Sequence, residues 1–311
     1  MKCVVIYFSQ TGNTEKVAKA IQIGVKQAAG HCDIVKIKEA NPRRLYEYDL
    51  IGLGSPVFHF KEPGNIAAFI SNMRFLGGKH IFSFCTHCTL GDGYFPSVVP
   101  KLQKKGLIVT GWSDWYGHSW GPIIQPTPYL TDGHPDEIDL QEAEDFGRDM
   151  VRRSQRISAG ETSLIPKAPA PVAPPVPGEE NVGSPISFKD FARYDRGKCR
   201  YPECRLCMDN CPMDGIDLTV APPIIARPCI DCMFCEAICP SGAISATDKW
   251  LESAARKVSK GLKKTGAKEL AKAEAQGRFR RLFPEEKVGW DTPVYKVHNK
   301  HPRWVIGKGP Q

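Results

Sequence analysis

The sequence lacks the long apolar runs and the nucleotide-binding fingerprints that mark several common protein classes. No stretch approaches the ~18 apolar residues of a membrane-spanning helix. The first apolar run, from Cys3 to Phe8, ends in a polar glycine turn and predicts a strand rather than a secretory signal, so we expect a cytoplasmic protein. Neither G-x-G-x-x-G nor a Walker G-K-[ST] occurs, which argues against a dinucleotide site and against a P-loop.

Cysteine, in contrast, is abundant and clustered. Of the twelve cysteines, eight fall between Cys199 and Cys239. In a reducing compartment such clustering indicates metal binding or catalysis rather than disulfides. The remaining four are Cys3, Cys32, Cys85 and Cys88.

The positive charge is concentrated in one segment. The whole chain carries a formal charge of +8, but residues 249–311 hold 16 Lys and Arg against 6 Asp and Glu. The segment alone therefore carries +10, and the basic character belongs to an appended tail.

The first ~150 residues alternate strand and helix patterns, which predicts βαβ units and a doubly wound parallel sheet of five strands. The predicted strands are residues 3–9, 32–38, 48–56, 80–87 and 107–112. A last helix is predicted over 135–156, with Pro135 in its first turn. We predict four regions: a first domain at 1–157, a Pro-rich linker at 158–187, a cysteine-rich domain at 188–248 and a basic extension at 249–311.

The sequence S-Q-T-G-N-T follows the first strand directly and opens a helix. Its hydroxyls, its glycine and the N–H groups of the helix N-terminus suit a phosphate monoester, although an ordinary polar turn is the alternative. In this motif the chain resembles the flavodoxins, over residues 1 to about 155. The resemblance implies FMN, with its phosphate held by Ser9, Gln10, Thr11, Gly12, Asn13 and Thr14.

Two later loops, after strands three and four, would then hold the isoalloxazine ring. The first contributes Ser55, Pro56, Val57, Phe58, His59 and Phe60. The second contributes Cys85, Thr86, His87, Gly91, Asp92, Gly93 and Tyr94. Flavodoxins often place the ring between aromatic side chains, and here Phe58, Phe60 and Tyr94 are the candidates.

Two features of these loops have more than one interpretation. Cys85 and Cys88 form a C-x-x-C pair, which could act as redox thiols or bind a metal together with His87. We favour a third interpretation, in which Cys85 ends a buried strand and Cys88 has no role in the site. His59 could donate a proton to a reduced flavin, but we favour a ring-packing role.

The two cysteine runs favour iron–sulfur clusters over zinc. The second run, Cys229-x2-Cys232-x2-Cys235-x3-Cys239-Pro240, has the spacing that bacterial ferredoxins use for [4Fe–4S] clusters. Zinc would need only four ligands, commonly in two separated pairs. The resemblance to two-cluster bacterial ferredoxins covers about 199–247.

The first run departs from that spacing. It reads Cys199-x4-Cys204-x2-Cys207-x3-Cys211-Pro212, and C-x4-C-x2-C is also the plant-type [2Fe–2S] spacing. We interpret it as a bacterial run with a two-residue bulge, leaving open a three-iron cluster or a non-cysteine ligand. The resemblance implies crossed ligand sets. One set is Cys199, Cys204, Cys207 and Cys239, and the other is Cys211, Cys229, Cys232 and Cys235.

The whole chain thus resembles flavodoxin–ferredoxin fusion proteins of anaerobic bacteria and archaea. This implies electron transfer between two [4Fe–4S] clusters and FMN, linking a low-potential ferredoxin-type partner to a larger redox enzyme. The alternatives are a reductase of a small substrate bound over FMN, or an electron-transfer subunit anchored in a complex by its tail. We expect no nucleic-acid partner.

Two segments stay open from sequence alone. The Trp-rich insertion at 112–135 is interpreted as a loop on the sheet edge, with a cofactor lid or a seat for the second domain as alternatives. The tail begins as a basic helix, with Leu251, Ala254, Ala255, Val258 and Leu262 on one face. A packed helix with a solvated lysine face is favoured over docking to an acidic redox partner.

Overall fold

The computed structural model describes residues 1–118, 128–172, 192–245 and 260–290. The chain divides into two compact units. The first comprises Met1–His118 and Gly133–Asn181, and the second comprises Ser119–Asp132 and Val182–Gln311. Within the described residues, no helix combines the length and the apolar character that a membrane crossing requires.

The first unit is built on one five-stranded parallel sheet in the order β2-β1-β3-β4-β5. Its strands are β1 (Cys3–Tyr7), β2 (Cys32–Lys36), β3 (Leu50–Pro56), β4 (His80–His87) and β5 (Ile108–Tyr116). Its helices are α1 (Asn13–Ala29), α2 (Gly64–Asn72), α3 (Tyr94–Lys104) and α4 (Glu137–Ser158). This confirms the predicted flavodoxin-like α/β class, since the order 2-1-3-4-5 is that of the flavodoxin-like doubly wound sheet.

The inner strands are buried on both faces, which explains their continuous apolar runs. All five residues of β1 are buried, as are the first six of β3 and the first seven of β4. The register aligns Tyr7 with Gly54 and Gly54 with Phe84. The carboxyl ends of β1, β3 and β4 therefore meet at one edge, where the loops that follow them emerge.

Two boundaries differ from the sequence prediction, each for a local reason. Strand β5 continues to Tyr116 rather than ending at residue 112, because Asp114, Trp115 and Tyr116 pair with the last three residues of β4. Helix α4 begins after Pro135, because Asp136 accepts hydrogen bonds from the N–H groups of Ile138 and Asp139 as its N-cap. Pro135 therefore lies outside the first turn.

The second unit contains short elements and two small apolar clusters. They are β6 (Arg193–Tyr194), α5 (Leu206–Asp209), α6 (Phe234–Ile238), β7 (Ile244–Ser245), a π-helical turn (Leu262–Gly266) and α7 (Ala267–Ala275). The strands β6 and β7 are antiparallel, and Ile216, Leu218, Met233 and Ile244 form one apolar cluster. Of the predicted tail stripe, Leu262 is half-buried, and the four residues before it lie outside the described residues.

Helices α1 and α4 approach closely enough that a side chain cannot fit between them at Gly147. A Cβ atom there would lie 2.3 Å from the Ile21 carbonyl oxygen. We predict that Gly147→Ala destabilises the first unit by about 1–3 kcal/mol, because overpacking forces the helices apart. Urea denaturation followed by circular dichroism measures this.

The matched control is Gly261→Ala, at a helical position with no atom within 4 Å of the added Cβ. Since alanine favours a helix over glycine, this change should be neutral or slightly stabilising. Equal stability of the Gly147→Ala variant and the unsubstituted protein would contradict the packing described for α1 and α4.

Candidate functional site

The predicted phosphate loop lies between the end of β1 and the start of α1. Gly12 precedes α1 with a φ of 99°, in the left-handed region, and carries no side chain to cap the first turn. Its N–H donates to Ser9 Oγ at 3.2 Å. The first-turn N–H groups thus remain available to an anion, as in known phosphate sites at helix N-termini.

Two contacts fix this loop to neighbouring strands. Thr14 Oγ1 lies 2.7 Å from Thr86 Oγ1, which joins the start of α1 to the end of β4. Asn13 Nδ2 donates to the His118 carbonyl oxygen at 2.8 Å, beyond the end of β5. Both hydrogen-bonded pairs link residues far apart in sequence, so the loop is held by the sheet and is not free-standing.

The predicted ring-binding loop after β3 forms a tight turn. The backbone groups of Phe58 and Lys61 exchange two hydrogen bonds, at 2.9 and 3.0 Å. His59 and Phe60 between them both have positive φ, 49° and 67°, which is the pattern of a type I′ turn without its usual glycine or asparagine. His59 is exposed, while Phe58 and Phe60 are half-buried, so their rings remain partly accessible to a ligand.

Tyr94 does not share that accessibility. Its side chain is fully buried, and its hydroxyl lies 3.1 Å from Ser55 Oγ. Burial, with the nearby Cys85 as a lesser cause, raises the pKa of Tyr94 above its usual range. Tyr94 is therefore packed in the interior beside Ser55 and cannot stack on a flavin. Phe58 and Phe60 remain as the aromatic candidates.

The loop after β4 packs tightly against its neighbours. A Cβ on Gly93 would lie 2.4 Å from the Phe60 carbonyl oxygen, so the two ring-binding loops touch there. His87 Nε2 lies 2.7 Å from Asp114 Oδ2, while His87 Nδ1 is buried and has no hydrogen-bond partner among the described residues. That unsatisfied ring nitrogen offers a polar contact that a bound ligand could complete.

The thiols of this loop fit the structural interpretation better than a metal site. Cys85 is fully buried in β4, and burial raises the pKa of its thiol well above the ordinary value. Such a thiol is unreactive. Among the described residues, Cys85, His87 and Cys88 do not bring their ligand atoms together within 4.8 Å.

Taken together, the loop residues fit FMN. The phosphate end of the site offers hydroxyls and helix N–H groups. The acidic residue of the first turn of α1 is Glu15, and its carboxylate forms an ion pair with Lys19 Nζ at 2.6 Å. The ring end offers accessible aromatic rings and the unsatisfied His87 nitrogen. The donor chemistry is that of an anion site next to an apolar platform.

The second unit brings the eight clustered cysteines around two cavities. Cavity I is lined by Cys199, Cys204, Cys207 and Cys239. Cavity II is lined by Cys211, Cys229, Cys232 and Cys235, with Cys207 also at its wall. These are the two crossed sets that the ferredoxin resemblance implies, and Cys199, despite the bulged spacing, lies with the first.

Backbone N–H groups donate to sulfurs in both cavities. In cavity I, Tyr201 donates to Cys199 Sγ at 3.4 Å and Ala243 to Cys239 Sγ at 3.2 Å. In cavity II, Gly215 donates to Cys211 Sγ and Asp231 to Cys229 Sγ, both at 3.2 Å. Such bonds stabilise negative charge on sulfur and help set the potential of an iron–sulfur cluster.

The sulfurs are too far apart for zinc. Tetrahedral zinc with Zn–S bonds of about 2.3 Å holds its sulfurs about 3.8 Å from one another. Within the described part of the chain, no three cysteine sulfurs lie within 4.8 Å of one another. Each quartet therefore leaves space for a larger metal–sulfide group.

Burial affects the free thiols unequally. It raises the pKa of Cys207 to about 11 and that of Cys232 to about 12. For Cys239 burial acts in the same direction, but N–H donors that include Ile244 and Ala243 bring its pKa below the ordinary value. Cys207 and Cys232 would keep their protons at neutral pH, so iron binding must displace them.

The described residues contain one other group of potential metal ligands: His134, Asp136 and Asp139. Asp139 Oδ2 lies 2.5 Å from His134 Nδ1 and accepts the Asp136 N–H at 2.8 Å. The bond from Asp136 belongs to the α4 capping box, and His134 contacts the same carboxylate, which accounts for the cluster without a metal.

The Trp-rich insertion is smaller than predicted. Trp112 and Trp115 belong to β5, where their rings lie 6.1 Å from Phe95 and 5.7 Å from Phe146 in the flanking helices. Those tryptophans cannot form a lid, and Trp120 lies outside the described residues. Within the second unit, Tyr129 packs edge-on against Trp290, and Pro128 accepts the Gly289 N–H at 2.9 Å.

Sequence reasoning missed several contacts around these sites. It did not foresee Asp114 beside His87, His118 beside Asn13, or Phe8, whose ring lies 6.1 Å edge-on from Phe58. Phe8 directly follows the first strand, and this position could have suggested that it lies near the predicted cofactor site. The His118 contact spans 105 residues and has no local signal.

Comparison with known proteins is consistent with both sites. Residues 4–94 match the family described as Flavodoxin domain. An uncharacterized protein of Methanocaldococcus jannaschii is 29% identical over 154 residues, which cover 49% of this chain and 99% of that protein. An uncharacterized ferredoxin of the same organism is 38% identical over 52 residues, 16% of this chain and 84% of that protein.

A ferredoxin of Methanothermococcus thermolithotrophicus is 34% identical over 56 residues, covering 17% of this chain and 93% of that protein. The ferredoxin relatives match the C-terminal region that carries the clustered cysteines. A flavodoxin domain implies FMN, and ferredoxin relatives together with these cysteines imply iron–sulfur clusters.

We predict that Gly12→Ala weakens FMN binding about 5- to 30-fold, because a side chain is strained at a φ of 99° and the strain costs about 1–2 kcal/mol. Flavin fluorescence titration measures this. Gly12→Asn should lower the affinity for FMN less than Gly12→Ala does, since asparagine tolerates this backbone conformation.

Gly160→Ala is the control, at a position that also has positive φ but lies after α4. It should leave FMN affinity unchanged. Equal affinities for the Gly12→Ala variant and the unsubstituted protein would contradict the phosphate loop.

We predict that Cys232→Ser lowers the iron content of anaerobically purified protein by about half, because it removes a ligand from cavity II and leaves cavity I complete. Iron and acid-labile sulfide assays measure this. The control Cys88→Ser should leave iron unchanged, since Cys88 lies in the first unit. Full iron content in the Cys232→Ser variant would show that Cys232 is not a ligand.

Proposed function

The chain belongs to the flavodoxin–ferredoxin fusion proteins, and from this premise we propose that it passes electrons between two [4Fe–4S] clusters and FMN. It would thereby link a low-potential ferredoxin-type partner to a larger redox enzyme. The observation that carries the proposal is the pair of crossed cysteine cavities on the same chain as the phosphate loop.

Each cluster would carry one electron at a time, whereas FMN takes one or two, so the chain would convert between one- and two-electron chemistry. The residues of the chain would bind the cofactors and tune their reduction potentials. Cysteine sulfurs would hold the iron, and the Tyr201, Gly215, Asp231 and Ala243 N–H groups stabilise charge on those sulfurs. Gly12 and the first turn of α1 would hold the FMN phosphate, beside the accessible rings of Phe58 and Phe60.

Joining the two domains in one chain favours exchange between them. The segment between them includes a Pro-rich stretch over 165–185. A covalent link replaces a bimolecular encounter with an intramolecular one and raises the effective concentration of donor and acceptor. This supports direct exchange over transfer between separate molecules.

The basic tail is the proposed docking surface for the partner. In the described part of the tail, Lys260, Lys264, Lys268 and Lys272 are all exposed at four-residue intervals. An exposed row of ammonium groups attracts an acidic protein and accelerates its association, in a manner that salt weakens. An acidic ferredoxin-type partner fits this chemistry.

We predict that electrons reach FMN through the cavities. The double variant Cys204→Ser with Cys232→Ser loses one ligand from each cavity, and its FMN should be reduced at least tenfold more slowly by a reduced ferredoxin. Stopped-flow absorbance under anaerobic conditions measures the rate. The double variant should keep its FMN content.

The control is Cys88→Ser, which should be reduced at the rate of the unsubstituted protein. If the double variant lacks iron, yet its flavin is reduced just as fast, the flavin receives electrons directly and the proposed route is wrong. About eight irons and one FMN per chain are expected in the unsubstituted protein.

A further inference from the structure

The two cavities lie in oppositely charged parts of the cysteine-rich domain. Residues 193–209, which supply three of the four sulfurs of cavity I, contain five Lys and Arg against three Asp and Glu. Residues 211–238, which supply all four sulfurs of cavity II, contain one Arg against four Asp and Glu. The net charges are +2 and −3.

One cation of the first segment stands directly at its cavity. Arg200 follows Cys199 and lines cavity I. Its side chain is exposed and forms no ion pair within the described part of the chain. Two neighbouring cations differ, since Lys198 lies 3.5 Å from Asp195 and Arg205 lies 3.4 Å from Asp209. Arg200 thus adds a positive charge next to Cys199, and Arg196, which interacts electrostatically with Cys199, adds another.

Cavity II has acidic neighbours instead. Asp231 Oδ1 lies 3.7 Å from Cys229 Sγ. Glu236 follows Cys235 directly and is half-buried. Both carboxylates add negative charge close to sulfur ligands.

Backbone hydrogen bonds to sulfur occur in both cavities. Four of these N–H donors, two in each cavity, lie 3.2 to 3.4 Å from their sulfurs, and in cavity I Ile244 also donates to Cys239. Charged side chains, in contrast, differ in sign between the cavities. Adding an electron to a cluster adds a negative charge, which a nearby cation stabilises and a nearby carboxylate destabilises.

We propose that Arg200 makes cavity I the higher-potential site and that Asp231 and Glu236 make cavity II the lower-potential one, so that electrons move from cavity II to cavity I. This rests on the proposed function, since it requires a cluster in each cavity. Clusters held by the two cysteine quartets would exchange one electron at a time, and this exchange would break no bond and transfer no proton. The electron comes from a low-potential ferredoxin-type donor.

The test is a redox titration of the anaerobic, FMN-loaded full chain, followed by electron paramagnetic resonance. The unsubstituted protein should show two cluster potentials. Arg200→Gln should lower the upper potential and leave the lower one unchanged. At a fixed potential, the ratio of reduced to oxidised cluster should fall about three- to tenfold, where tenfold corresponds to about 59 mV.

Two further variants test the assignment. Arg200→Lys keeps the positive charge and should retain the upper potential. Asp231→Asn should raise the lower potential and leave the upper one unchanged. The matched control is Arg193→Gln, which removes an exposed arginine that does not line either cavity, and it should shift neither potential.

Two clusters with one shared potential, or a shift of the lower potential by Arg200→Gln, would overturn this inference and leave the proposed function intact. Failure of Arg200→Gln to shift any potential would overturn it as well. Absence of two iron–sulfur clusters from the purified chain would contradict the proposed function itself, and the inference would fall with it. Iron quantification before the titration separates these cases.

Discussion

The second unit depends on a reciprocal constraint, because each cavity takes a sulfur from the other cysteine run. Cys239 of the second run lines cavity I, and Cys211 of the first run lines cavity II. Neither quartet can be completed until both runs are folded against each other. The small apolar cluster of Ile216, Leu218, Met233 and Ile244 contacts cysteines of both runs. So small a core has little stability of its own, and metal binding would then supply much of its folding free energy.

In the first unit, the parallel sheet brings loops that are distant in sequence to one edge. The parallel register places the ends of β1, β3 and β4 side by side. The hydrogen bond between Thr14 and Thr86 then joins the start of α1 to the end of β4. An FMN molecule that bound there would contact segments that are already positioned, at the location where open α/β sheets bind their ligands.

Patterns that act locally were predictable from sequence, and those set by distant partners were not. The strand over 80–87 and the S-Q-T-G-N-T loop have strong local signals, as do the cysteine spacings. The predicted end of β5 was wrong because pairing with β4 sets where that strand ends. The predicted start of α4 was wrong because a capping box at Asp136 begins the helix after Pro135. The candidacy of Tyr94 failed because sequence position does not reveal which side of a loop is buried. Arg200 carried no motif, and only its place at the wall of cavity I gives it significance.

The proposed function requires that electrons move between metal–sulfide groups and a flavin held by the same polypeptide. The most direct measurement is flash photoreduction of the anaerobic protein, with flavin absorbance followed after the clusters have been reduced. Because the proposed transfer is intramolecular, its first-order rate constant should stay the same when the protein concentration is changed about a hundredfold. A rate proportional to concentration, or clusters that stay reduced beside an oxidised flavin, would contradict it.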